Sequence, residues 1–191
     1  AQCIERPKSQ RVPVDEQEGR LLGILHANRI LRISDSHCEV PPMSNQHASQ
    51  APEPLLSPAA AELLQQRGLG PLAETMGIEL LELSAERTVA RMPVAGNTQP
   101  LGVLHGGAHV VLAESLGSFS ANVWAHEMNK VAVGIEVNAS HSRSVGSGFV
   151  TGTCTAINLG KSLTVHEIAI TDEQGRRLST VRITNFLRDK N

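Results

Sequence analysis

Glu114 is the only formally charged residue between Gly106 and Ala125. An ionised carboxylate in apolar surroundings costs several kcal/mol unless it is paired or solvated. It is therefore either satisfied by backbone groups or a cross-strand arginine, or it is there to react. Seven residues ahead of it the run His105-Gly106-Gly107 ends. Glycines at the start of a helix let a ligand approach the backbone. The first-turn N–H groups lack intrahelical acceptors, and the positive end of the helix dipole lies there, which suits an oxyanion or a polarised carbonyl. Alone, the run reads more readily as a turn with His105 as a cap. Followed seven residues later by a lone glutamate on an apolar helix, it makes a much more specific pattern than either part alone. Ser118, one turn on, is within reach of the carboxylate or of a water beside it. Val110, Gly117, Ser118 and Ala121 share that face, and three of them are small enough for another chain or a ligand to come close.

The element that carries Glu114 reads as a helix over Gly106–Ala125. Leu112, Leu116, Phe119 and Val123 form a stripe at helical spacing, and Val110, Val111 and Ala113 fill other sides, so the helix is expected to be buried. Before it, Ser57-Pro58 caps a helix that Gly68 ends, and Pro71–Met76 is a short turn stopped by Gly77. Ile78–Leu83 and Arg87–Val94 read as strands, followed by a loop over Ala95–Leu104. After the helix, Val131, Val133, Ile135, Val137 and Ala139 alternate with smaller or polar residues, a period of two. His141 and Arg143 continue that parity, so they lie where the apolar face leaves the core. Phe149–Ile157, Ser162–Thr171 and Arg177–Leu187 are further strands, separated by turn signals. Short connections predict an antiparallel meander. A helix of about 20 residues is about 30 Å long, so its surface calls for a long curved sheet around it: an α+β domain.

The first 55 residues differ, with six of the ten prolines, no aromatic residue and two of the three cysteines. Within them Leu21–Ile33 reads as a short amphipathic helix. Residues 1–55 are expected to be an extension outside the fold, and 56–191 the domain. A net charge of -2 and 2% aromatic content give no footprint for nucleic acid. No apolar run approaches the ~20 residues of a membrane span. Cys3, Cys38 and Cys154 match no metal or redox spacing, and a reducing cytoplasm is the expected location. His105 and His109 are four apart, but without a third ligand they make no metal site. Gly160-Lys161-Ser162 lacks the earlier glycine of a P-loop, since position 155 is Thr155. His126 and His166 read as surface or structural residues.

The run Gln99-Pro100-Leu101-Gly102-Val103-Leu104-His105-Gly106-Gly107, with Val111-Leu112-Ala113-Glu114-Ser115 and Gly117-Ser118 behind it, resembles hotdog-fold acyl-CoA thioesterases of the PaaI type. The nearest resemblance is to the branch containing 1,4-dihydroxy-2-naphthoyl-CoA hydrolases. It covers roughly Leu56 to Asp189, including Asn138-Ala139-Ser140-His141 and Leu159-Gly160-Lys161-Ser162. The resemblance implies a hotdog fold, a curved antiparallel sheet wrapped around a long central helix. It implies Glu114 as catalytic carboxylate, acting as general base or as nucleophile through a mixed anhydride. It gives the Gly106 N–H the polarisation of the thioester carbonyl, with Gln99 and His105 near that carbonyl and Ser118 positioning water or carboxylate. Gly107, Gly134, His141, Ser142, Arg143, Ser144 and the turn Asn158-Leu159-Gly160-Lys161-Ser162 are the implied substrate and CoA contacts. Arg143 and Lys161 are the charges available to phosphate. The family's site forms between two subunits, and its dimers pair into tetramers.

The expected function is hydrolysis of acyl-CoA to free acid and CoA, with no metal or organic cofactor. Aryl or hydroxy-aryl acyl groups come first and medium-chain groups second. A hydrolase acting on acyl carrier protein, a non-catalytic acyl-CoA-binding module and a dehydratase of the same fold are the alternatives. The presence of Glu114, Gln99 and the glycine pair together argues against the binding module, and the dehydratase's His/Asp or His/Glu pairing is not found.

Overall fold

The computed structural model describes residues 53–190. The helix expected over 21–33, together with Cys3 and Cys38, lies outside the described residues. Strand β1 (Leu55–Leu56) precedes α1 (Pro58–Arg67), whose first turn is capped by Ser57 Oγ, which accepts from Ala60 N at 3.3 Å. Pro58 stands at the start of that helix, where its missing N–H costs nothing, and Gly68 ends it with φ 61°. The short α2 (Pro71–Thr75) runs into Gly77 at φ 68°, and β2 (Glu79–Leu83) and β3 (Arg87–Pro93) follow as an antiparallel pair.

Helix α3 (Gly106–Glu127) is followed by β4 (Lys130–His141), β5 (Phe149–Leu159), β6 (Leu163–Asp172) and β7 (Arg177–Asp189). One sheet takes all seven strands in the order β1-β2-β3-β5-β6-β7-β4, antiparallel except for the β1–β2 pair. The expected meander holds for β5, β6 and β7. It does not extend to β4, which pairs with β7 instead of β5 and forms an edge of the sheet. The long helix explains this: α3 carries the chain across the sheet, so β4 re-enters on the far side. Helix α3 packs against β3, β4, β5, β6 and β7. Its fully buried Leu112 and Leu116 meet an inner face built from Met92, Val150, Ile168, Ile170, Val181 and Ile183. Among the described residues no helix is long and apolar enough to cross a membrane.

The alternation along β4 is not continuous. The β4–β7 register shifts between Gly134 and Glu136, leaving Ile135 as the extra residue of a bulge. One inserted residue flips parity. Beyond it Val137 and Ala139 pair with buried Ile183 and Val181, whereas before it Gly134 and Ala132 pair with buried Asn185 and Leu187. Val133 and Ile135 therefore point outward, 44% and 59% exposed, contrary to the single apolar face expected. His141 shares its parity only with Val137 and Ala139, the part of β4 after the bulge.

Candidate active site

The start of α3 is fixed by its own first residues. His105 is the N-cap, and its Nδ1 accepts from Gly107 N at 2.8 Å. That bond leaves Nε2 as the protonated nitrogen of the neutral ring, a free donor. The His105 carbonyl takes the N–H groups of Ala108 and His109. Among the described residues no acceptor is found for the N–H of Gly106, which stands at the positive end of the helix. The preceding loop is held by Asn97, whose Nδ2 donates to the carbonyls of Met76 and Pro93, both at 2.9 Å, while Asn97 O accepts from His105 N.

Beside this helix start lies a cavity of about 460 Å³ that brings together Gln99, Gly106, His141, Ser142, Arg143 and Ser144. His141 Nδ1 lies 2.9 Å from Ser179 Oγ, which donates to the Ser140 carbonyl at 3.1 Å. A hydroxyl with its proton committed can only accept, so His141 Nδ1 is the donor of that bond, and Nε2 is turned toward Gly106. A Cβ on Gly106 would sit 3.2 Å from that Nε2, so the glycine makes room for the ring. His109, one turn into α3, also lines this cavity and was not foreseen as part of it. It is 3% exposed, its ring lies 5.3 Å from that of His141, and among the described residues its buried Nδ1 finds no partner. Burial first, and the neighbouring His141 second, push its pKa down to about 4.

Glu114 opens on a different cavity, of about 360 Å³, shared with Val111, Ser115, Ser118, Phe119 and residues Leu69–Ala73. Within the chain the carboxylate is exposed, not buried as its apolar helix suggested. The reason is that α3 is covered by the sheet on one side only, and Phe119 also remains partly open. No hydrogen bond joins Glu114 and Ser118; they share the cavity wall. Gly117 and Ala121 are small for another reason than the one expected. They face the sheet, and a Cβ on Gly117 would come within 2.2 Å of Ile183 Cγ2. Gly134 lies next to the carboxylate: a Cβ there would be 3.9 Å from Glu114 Oε1 and 3.7 Å from Asn185 Oδ1. Asn185 too was missed. Its signal was a polar residue at an inward position of an apolar strand, between Ile183 and Leu187.

The turn Asn158–Ser162 joins neither cavity. Trp124 Nε1, near the far end of α3, donates to the Gly160 carbonyl at 2.9 Å, and Lys130 Nζ donates to the Lys161 carbonyl at 3.1 Å. It therefore sits at the opposite end of the helix from His141–Ser144. His126 lies 3.4 Å from Glu62, and His166 is buried with Nε2 3.1 Å from the Ala85 carbonyl.

Comparison with known proteins adds to this geometry. Residues 101–179 match the family described as the thioesterase superfamily. The chain is 43% identical to the proofreading thioesterase EntH of Cronobacter turicensis, over 64% of this chain and 90% of that protein. It is 41% identical to the 1,4-dihydroxy-2-naphthoyl-CoA hydrolase of Escherichia coli, over 66% and 93%. Among solved structures it resembles a thioesterase of Haemophilus influenzae, with a TM-score of 0.62, 36% identity, and coverage of 68% of this chain and 90% of that one.

Proposed function

The chain belongs to the thioesterase superfamily, a family of hotdog-fold thioester hydrolases, and from that premise we propose that it hydrolyses acyl-CoA. Aryl or hydroxy-aryl acyl groups are the first candidates, since the 41%-identical relative from Escherichia coli is a 1,4-dihydroxy-2-naphthoyl-CoA hydrolase. Medium-chain acyl groups are second, and an acyl carrier protein is the alternative carrier.

One observation carries the reading. A single helix offers an N–H without acceptor at its start and a cavity-lining carboxylate at Glu114. Gly106 would receive the carbonyl oxygen as it gains charge, with Gln99 and His105 beside it, an oxyanion-hole role. Glu114 would act as general base on water or as nucleophile, with Ser118 orienting the attack. His141, Ser142, Arg143 and Ser144 would contact the CoA arm, and Asn158–Ser162 would supply a second contact, with Arg143 and Lys161 toward phosphate.

These groups cannot meet within one chain. Gly106 and Glu114 are eight residues apart on a rigid helix, about 12 Å, and they open on separate cavities. We therefore assign the site to a dimer, with Glu114 of one subunit facing Gln99 and Gly106 of the other. The open edge of β4 and the half-covered face of α3 are available for that pairing. Val133, Phe186 and Leu163 are register neighbours on β4, β7 and β6, and all three are exposed. This outward apolar row supports a second pairing, of dimers into a tetramer.

The test is thiol release from a panel of aryl- and fatty-acyl-CoA esters by wild type and Glu114→Ala. Wild-type release that falls at least about a hundredfold in the variant is expected, with both proteins in the same oligomeric state. Release that survives within a few-fold would remove Glu114 from the chemistry. No release by the wild type from any CoA ester would transfer the proposal to carrier-protein substrates.

A further inference from the structure

Asn185 is fully buried on the inner face of β7, at the register position opposite Gly134. Its amide is oriented by Nδ2, which donates to the Gly117 carbonyl at 3.5 Å. Turning the amide over would set Oδ1 against that carbonyl, two acceptors in contact. Oδ1 consequently faces the other way and, among the described residues, finds no hydrogen-bond partner. What it faces is the empty side of Gly134, where Oδ1 and Glu114 Oε1 both lie within 4 Å of the same point. The bulge at Ile135 is what turns Gly134 inward, and the missing side chain leaves the approach open.

A buried acceptor without a donor is costly, and native proteins keep few of them. An ionised carboxylate is acceptor-only and can give Asn185 nothing, whereas a carboxylic acid has one O–H to donate. We infer that Asn185 is a positioning residue for Glu114 in its protonated form. This rests on the proposed role of Glu114, and it selects the general-base route. The water oxygen bonds to the thioester carbon, one water proton passes to Glu114, and the carbonyl π pair becomes the oxyanion. The new Glu114 O–H then donates to Asn185 Oδ1, an interaction absent before the proton moves. Collapse of the oxyanion breaks the C–S bond, and Glu114 returns the proton to the departing thiolate. A contact made only as the reaction proceeds lowers the barrier without tightening substrate binding.

Across the proposed dimer interface, the ionisable groups that would face Glu114 are those lining the helix-start cavity of the second copy, His109, His141 and Arg143. Within one chain, Glu114 is the only ionisable group among the described residues lining its cavity, which come from α3 and from the Leu69–Ala73 segment. On the adjacent β4, Glu136 lies against Thr184, Lys130 is bonded to the Lys161 carbonyl and His141 to Ser179. On β7, Arg182 and Arg188 pair with Asn138 and Val131 on the outward face.

The experiment compares wild type, Asn185→Ala, Asn185→Asp and Glu114→Ala, each checked for melting temperature and oligomeric state, by kcat and KM across pH. Asn185→Ala is expected to lower kcat about tenfold with KM within about twofold. With no acceptor for the acid form, the acidic limb of its kcat profile should move to lower pH. Asn185→Asp sets a second carboxylate beside Glu114, and its acidic limb should move to higher pH. Limbs that stay at the wild-type position in both folded variants, with Glu114→Ala inactive, would overturn the inference and leave the thioesterase reading standing. Should Asn185→Ala fail to fold, an unmoved limb in Asn185→Asp decides the same way. Activity surviving in Glu114→Ala would instead sink the underlying assignment.

Discussion

At the scale of the residue, the groups with chemistry to offer were legible where local rules govern them. A glutamate alone on an apolar helix and a cap-and-glycine start are visible in the chain because helix periodicity and end effects are local. Asn185 and His109 were not, since their meaning depends on what the sheet sets against them. His109 yields a prediction of its own. Burial and the His141 neighbour lower its pKa from 6.5 to about 4. Burial lowers that of His166 in the same direction, against the Ala85 hydrogen bond. Between those two values the unfolded chain binds a proton that folded His109 refuses, so stability is complete above pH 6.5 and falls as pH drops toward 4. The loss is on the order of 2 kcal/mol, or roughly 5 °C in melting temperature. Thermal melts from pH 7 to pH 4.5 should show the decline for wild type and a shallower one for His109→Leu. Parallel slopes would mean that His109 does not carry it.

At the scale of the element, the sequence announced the helices through their caps and stops, and the strands through alternation and turn residues. It could not announce the bulge in β4. Val131 to Ala139 alternates without a break in the sequence, and only pairing with β7 shows Ile135 to be the extra residue. Small residues misled in a similar way. Gly117 and Ala121 on α3 suggested an approaching chain or ligand, yet they are the surface on which the sheet rests. Gly152 on β5 is the reciprocal case, since a Cβ there would come within 2.6 Å of Leu116 Cδ1. Replacing a mid-helix glycine by alanine ordinarily stabilises by about 0.5–1 kcal/mol. At Gly117 the added methyl meets Ile183 Cγ2 in a closed core, and overpacking costs about 1–3 kcal/mol. Gly117→Ala should therefore lower the urea midpoint, an outcome opposite in sign to helix propensity alone. A raised midpoint would show that β7 yields freely.

At the scale of the whole molecule, what one chain cannot do becomes the argument. The Gly106 N–H and the Glu114 carboxylate are held apart by the rigidity of the helix that carries both, and the segments His141–Ser144 and Asn158–Ser162 lie at its opposite ends. A site shared between subunits makes a prediction that a site within one subunit cannot. Gly106→Pro removes the N–H at the first helical position, where proline is well tolerated, although its ring must press on His141 Nε2. Glu114→Ala removes the carboxylate. Each homo-oligomer should be inactive. In a mixed dimer, one site receives Glu114 from the Gly106→Pro chain and Gly106 from the Glu114→Ala chain, and the other site receives neither. Co-expressed and purified through two different tags, such hybrids should recover up to about half the wild-type turnover per dimer, since one of two independent sites is whole. Hybrids as inactive as their parents would overturn the shared site and place both groups of each site in one chain.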